Sequence, residues 1–235
     1  MSLDTQAVSG AMDVHVMMQE ISARNVANIS TPGFKRNIAM VESAQADEED
    51  SEGMPTIGRV GVDLSQGPIT PTQNDMDFAI MGKGFFVVET SDGMRYTRCG
   101  RFQLNEQREI VTLDGDRVLG KNGPIRVPEG PDRLEAGENG VLRFGTQIIG
   151  EFLVADFENS ELLEQAGAAQ FKDGGQAMLD AADFTIHHRC IEQSNVQPIN
   201  ELVRMISSLR NYEACARSLK SLGDSAGQLY AWAGS

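Results

Sequence analysis

The sequence predicts a mainly β chain with α: a central antiparallel β domain flanked by N- and C-terminal helices that pair in a coiled-coil-like manner. Three observations predict this. Apolar residues recur at spacings of three and four near both ends. Between them lie short runs of β-branched and aromatic residues, broken by Asp-Gly turns. No alternation of helix and strand patterns appears, which argues against a doubly wound nucleotide-binding fold.

The N-terminal helix is expected over residues 4–28. Ala7, Ala11, Val14, Met18 and Ile21 form a heptad-like stripe. Thr31-Pro32-Gly33 ends it, because Pro lacks a donor and Gly permits positive φ. Next comes Asp47-Glu48-Glu49-Asp50-Ser51-Glu52-Gly53, an acidic run with little to bury. It reads as a mobile loop within residues 37–59. A divalent-cation loop is the sharper alternative, but the alternating ligand spacing is missing.

Residues 60–190 carry the strand signals. Phe85 to Thr90, the turn Ser91-Asp92-Gly93 and Met94 to Arg98 make one hairpin signature. Glu109 to Leu113, Asp114-Gly115-Asp116 and Arg117 to Leu119 repeat it. Residues 125–127, 141–144 and 148–157 continue the pattern, which suits an antiparallel sandwich or barrel-like domain.

The C-terminal helix is expected over 198–230. Leu202, Met205, Leu209, Tyr212, Ala216, Leu219, Gly223, Ala226 and Tyr230 step by three and four without a break. Pro198 suits its first turn. Some 30 residues would make a rod about 45 Å long. A core helix lying on the β domain is the plainer alternative. Matching heptads at both ends favour pairing of the two termini. The expected boundaries are therefore 1–36, 37–59, 60–190 and 191–235.

The chain has 235 residues, with 34 acidic and 20 basic side chains and a net charge of −14. Such a balance is unsuited to nucleic acid, whose binding depends on Lys and Arg neutralising phosphates. It is equally unsuited to anionic membrane surfaces. No apolar stretch approaches the roughly 20 residues of a spanning helix, so direct membrane insertion is not expected. The first residues lack a basic n-region and an apolar h-region, so no cleaved signal peptide is expected. Cys99, Cys190 and Cys215 are odd in number and far apart, which fits neither a disulfide framework nor a zinc pattern.

Candidate chemistry is sparse. Gly82-Lys83-Gly84 lacks the spacing of a phosphate loop and precedes a strand, so a tight turn or bulge is expected. His187 and His188 are adjacent in a strand and point to opposite faces, which prevents them from sharing one ion. His15 stands alone on the first helix. No Gly-x-Ser-x-Gly occurs. No catalytic, cofactor-binding or metal-binding residues are expected, and the chain does not read as an enzyme. Carboxylate pairs assembled only by folding stay open.

Three motifs then converge. Asn25-Val26-Ala27-Asn28-Ile29-Ser30-Thr31-Pro32-Gly33-Phe34-Lys35-Arg36 resembles the N-terminal signature of the flagellar rod, hook and hook-associated family. Asp77-Phe78-Ala79-Ile80-Met81-Gly82-Lys83-Gly84-Phe85-Phe86-Val87-Val88, followed by Tyr96-Thr97-Arg98-Cys99-Gly100-Arg101-Phe102, resembles the opening of the β domain in its rod members. Ser194-Asn195-Val196-Gln197-Pro198, with Glu201 to Ile206 and Arg210 to Ala214, is similar to its C-terminal signature. The motifs span the chain in the family's order. A single small β domain fits a rod subunit better than a hook subunit, and the length favours the proximal-rod type over the distal-rod type. Arg24 departs from the family, which usually has a first Asn there. Gln197 departs too, standing where an acidic N-cap is common, and Gln caps poorly.

The resemblance implies a structural subunit of the bacterial flagellar basal body. Such a chain leaves the cytoplasm unfolded through the flagellar type III export apparatus. It joins other rod subunits, and copies of itself, in a periplasmic axial rod that transmits torque. The terminal helices would form a coiled-coil-like rod core with the β domain outside. Carried over residue by residue, the N-terminal assembly positions are Asn25, Asn28, Thr31, Pro32, Gly33 and Phe34. The C-terminal ones are Asn195, Val196, Pro198, Leu202, Met205, Leu209, Tyr212, Ala216 and Leu219. The rival readings are a β-domain binding module with helical oligomerisation ends and, more remotely, a hydrolase with a carboxylate pair.

Overall fold

The computed structural model describes residues 3–43 and 55–233, and the chain divides into two compact units. One holds residues 1–27, 37–63 and 197–235. The other holds residues 28–36 and 64–196.

The first unit contains α1 (Leu3–Ala27), most of β1 (Arg36–Ser43), β2 (Pro55–Asp63) and α2 (Pro198–Ala233). Both expected helices are present, and α2 begins at Pro198, where the missing N–H leaves no helical bond unmade. Helix α1 packs against α2 and against β2. The strands β1 and β2 pair as a two-stranded sheet. Residues 36–43 and 55–63 are thus strand where a loop over 37–59 was expected. The acidic run at 47–53 favours a loop, whereas the flanking Ile38-Ala39-Met40-Val41 and Val60-Gly61-Val62 are apolar enough to pair. The run itself lies outside the described residues.

The second unit is antiparallel throughout. Its strands are β3 (Ile69–Pro71), β4 (Phe78–Gly82), β5 (Phe85–Thr90), β6 (Gly93–Thr97), β7 (Phe102–Leu104), β8 (Ile110–Thr112), β9 (Arg117–Gly120) and β10 (Gly123–Pro124). Then follow β11 (Leu134–Ala136), β12 (Val141–Phe144), β13 (Gln147–Glu151), β14 (Val154–Asp156), β15 (Glu164–Gln165), β16 (Gln170–Lys172), β17 (Leu179–Asp180), β18 (Phe184–His188) and β19 (Cys190–Glu192). The main sheet runs β15-β16-β6-β5-β9-β8-β7, with β14 also on β5. Strands β11, β12 and β13 form a second sheet, β18 pairs β4, and β19 pairs β3.

Strand β5 lies at the centre and explains the run Phe85-Phe86-Val87-Val88. Alternate side chains point to opposite faces, and all four are buried. On one face Phe86 joins Phe78, Phe102 and Phe152, with edge contacts of 5.2 Å to both Phe102 and Phe152. On the other, Phe85 meets Phe171 at 5.7 Å and Phe157 at 6.3 Å. A strand covered on both faces reads as continuous rather than alternating apolar sequence.

Both expected hairpins form. In the first, Thr90 pairs with Gly93, so the loop is Ser91-Asp92 and Gly93 already belongs to β6. The segment 125–127 is not a strand. It makes single backbone bonds, Ile110 N to Ile125 O and Val127 N to Arg108 O, at 2.9 and 2.8 Å. The expected strand over 148–157 is split into β13 and β14. Gly82-Lys83-Gly84 is the expected tight turn, joining β4 to β5.

Candidate assembly site

Within the second unit, parts of two sequence signatures meet Glu192 at one buried ion cluster, and Asn195 of the third is tied beside it. The Lys35 ammonium lies 2.5 Å from Glu192 Oε1, and both side chains are fully buried. Lys35 Nζ also donates to Ser65 O at 2.7 Å. Glu192 Oε1 accepts the Gly67 amide at 2.9 Å. Arg98 approaches Glu192 Oε2 at 3.4 Å, donates to Gly82 O at 2.7 Å and covers the Phe85 ring at 5.2 Å. Burial pulls the Arg98 guanidinium below its ordinary pKa, and the Glu192 carboxylate pushes it back.

The backbone around the cluster is tied by the same segments. Gly33 N donates to Glu192 O at 2.8 Å. Arg36 N donates to Asn195 Oδ1 at 2.7 Å, and Asn195 Nδ2 donates to Ser65 O at 3.1 Å. Gly33 has φ +70°, and a Cβ there would lie 2.2 Å from Cys99 N. Only glycine lets the chain pass at that distance. Phe34 is fully buried and Val196 is buried beside the cluster's C-terminal segment. Asn28 closes the turn locally, its carbonyl accepting Thr31 N and its side chain accepting the Thr31 hydroxyl. Pro32 is half-buried.

Asn25 belongs to the first unit. Its side chain accepts Asn37 N at 2.8 Å and donates to Asn37 O at 2.9 Å. The carboxamide thus stands in for a strand neighbour of β1. A buried amide satisfied on both sides holds one geometry.

The expected α2 stripe separates into two faces. Glu201, Met205, Ser208, Tyr212, Cys215 and Leu219 are buried or half-buried, at spacings of four and three, with Ala216 beside them. Ser208 Oγ donates to His15 O at 2.6 Å, which turns this face toward α1. Leu202 and Leu209 are exposed, Leu209 by 43%. They join Ile199, Val203 and Ile206 in an outward apolar face. Leu209 and Leu219 therefore do not share a face. Ten residues at 100° each leave them about 80° apart. The apolar arc is wide, so spacing alone did not locate its inner edge. Ser208 and Glu201 occupy that edge because their polar atoms have partners: Ser208 has His15 O, and Glu201 accepts Arg204 Nη1 at 3.0 Å. At the helix start Gln197 accepts the Asn200 side chain, and its carbonyl accepts Glu201 N at 3.1 Å.

The second unit also has a cleft of about 460 Å³ lined by Thr31, Pro32, Arg95, Cys99, Asp114 and Gln170 among others. Three of its charged groups are held by neighbours that line the same cleft. Arg95 donates to Ala166 O at 2.8 Å and Asp92 Oδ2 at 2.9 Å, and Asp116 accepts Gln170 Nε2 at 2.8 Å. Burial pushes the Cys99 thiol up, against a smaller opposing effect of Arg101. His188 stacks on Phe78 at 5.2 Å, and its Nε2 lies 2.9 Å from Asp75 O. Arg189, at φ +55°, pairs with Asp75. Cys99, Cys190 and Cys215 are free thiols. Among the described residues no helix is long and apolar enough to cross a membrane.

Sequence reasoning missed Glu192, and it quoted Lys35 and Arg98 without giving them a role. The signal available was a lone acidic residue beside Ile191 in a short strand, with a lysine directly after the buried Phe34.

Two family models match the chain. Residues 79–144 match the flagellar hook protein FlgE/F/G D1 domain, and residues 190–230 match the flagellar basal body rod FlgEFG protein C-terminal region. The chain is 32% identical to the flagellar basal-body rod protein FlgF of Caulobacter vibrioides, over 87% of each chain. It is 26% identical to FlgF of Salmonella typhimurium over 93% of each. It is 28% identical to the flagellar basal-body rod protein FlgG of Bacillus subtilis, over 83% of this chain and 85% of that one.

Proposed function

The chain belongs to the flagellar basal-body rod protein family, and we propose that it is a structural rod subunit that joins its neighbours through the outward face of α2. The observation that carries this reading is the division of α2 into two apolar faces. One is covered by α1 of the same chain. The other, Ile199, Leu202, Val203, Ile206 and Leu209, is uncovered. A contiguous exposed apolar face is a binding surface. In an axial array its partners are helices of neighbouring copies and of other rod subunits, in head-to-tail contacts that propagate without closing.

On this reading α1 and α2 pair as a coiled coil in the rod core, supported by the spacing of the half-buried α2 positions. The remaining signature positions act at one remove. Asn25, Asn28, Thr31, Pro32, Gly33, Phe34, Asn195 and Val196 hold the chain's own fold, while Leu202 and Leu209 make the contacts. The chain crosses the inner membrane unfolded through the flagellar export apparatus. It assembles in the periplasm and transmits torque without catalysing a reaction. Its negative charge leaves nucleic acid and anionic membrane unsuited as partners.

Deleting the gene tests this. The strain should lose motility and complete rods, and the intact chain supplied in trans should restore both. A deletion strain that swims and builds full rods would refute the reading.

A further inference from the structure

We infer that Glu192 is a closing latch: the second unit cannot bury residues 33–36 and the Arg98 side chain until residues 190–195 of the same chain are in place. One carboxylate serves two buried cations, Lys35 at 157 residues' separation and Arg98 at 94. It also accepts the Gly67 amide, 125 residues away. The Glu192 carbonyl accepts Gly33 N, and Asn195 binds both Arg36 N and Ser65. Three segments far apart in sequence are thus fastened to a single short one.

Without that segment, closure would bury Lys35 and Arg98 without the carboxylate they share, and the Gly33 and Gly67 amides without their acceptors. Buried polar groups left short of partners disfavour closure. The penalty keeps the N-terminal signature open. The β5–β6 hairpin faces no such condition, because its two strands are joined by a two-residue loop. Local pairs of this kind form before long-range ones. For a chain that travels unfolded, as proposed above, a partly delivered molecule would stay open at its signature. That consequence alone rests on the export reading.

Pulse-labelled hydrogen exchange during refolding of the full chain tests the latch. The amides of Gly33, Arg36 and Gly67 should gain protection in the same step as those of Ile191 and Gln193, and later than those of β5 and β6. Protection of Gly33 and Gly67 before Ile191 and Gln193 would overturn it. So would their protection together with the β5–β6 hairpin. A second measurement uses Glu192→Gln in the native state. Exchange at Gly33 and Gly67 should quicken about tenfold or more, the loss expected for a charge-assisted bond, with β5 and β6 unchanged. Equal exchange in the variant and the parent would overturn it. If Glu192→Gln does not fold, the refolding order of the parent chain decides. Both measurements use purified monomer, so their failure would leave the rod reading standing, and failure of the gene-deletion test would leave the latch standing.

Discussion

Lys35 and Glu192 are 157 residues apart in sequence and meet at 2.5 Å with both side chains fully buried. Such a pair is weak evidence of net stability, because desolvation offsets attraction. Breaking it from one side is a different matter. Lys35→Met should destabilise the β unit by about 3–5 kcal/mol, since the buried Glu192 carboxylate then keeps the Gly67 amide but, of the two cations, only the more distant Arg98. Urea unfolding followed by a β-sheet signal measures it. An unchanged midpoint would show that the cluster is not holding this unit.

Gly33→Ala and Gly93→Ala should differ sharply. Both glycines have positive φ, +70° and +112°. A Cβ at Gly93 meets nothing within 4 Å, whereas one at Gly33 lies 2.2 Å from Cys99 N. Gly93→Ala should cost about 1–2 kcal/mol of backbone strain. Gly33→Ala adds a clash with backbone that has no flexible end to move, and should lower the melting temperature much further. Equal melting temperatures would contradict the close passage.

Phe152→Ala should cost about 3–5 kcal/mol. Its ring lies 5.0 Å from Phe78 and 5.2 Å from Phe86, and it is fully buried. A loss under 1 kcal/mol, by the same urea titration, would mean that the core collapses around the gap.

What the sequence disclosed follows from what is local. Helix α2 from Pro198 and the two hairpins were legible because spacing, turn residues and strand runs lie within a few residues of one another. The strands β1 and β2 were not, since the acidic run between them outweighed two short apolar segments. The direction of α2's inner face was not legible either. Met205, Tyr212 and Leu219 fit both possible faces, and the choice rests on Ser208 finding His15 O, a contact 193 residues away. Glu192 was invisible for the same reason: its three partners come from elsewhere in the chain.

Alkaline pH should weaken the β unit. Burial raises the Cys99 thiol and the Tyr96 hydroxyl above their ordinary values of 9.0 and 10.0. Between the unfolded and folded pKa the native state holds the extra proton. Stability is therefore full below about pH 9 and falls as pH rises through the folded values. Cys99→Ser should flatten part of that fall in stability measured from pH 8 to 10. A parent chain whose stability rises across this range would contradict the assignment.

Leu209→Asp and Met205→Asp should separate assembly from folding. Leu209 lies on the outward face and Met205 on the face toward α1. The Leu209 variant should keep the helical content of the parent by circular dichroism. The Met205 variant should lose part of it, because it places a carboxylate in the seam between the helices. If Leu209→Asp melts the helices as Met205→Asp does, the outward face belongs to the monomer's own packing.

The most direct test is to purify flagellar basal bodies from the source bacterium and look for this chain by mass spectrometry. The parent chain should be present with the other rod proteins, and Leu209→Asp should be absent although the variant is exported and folds. Basal bodies with complete rods that lack the parent chain would contradict the account.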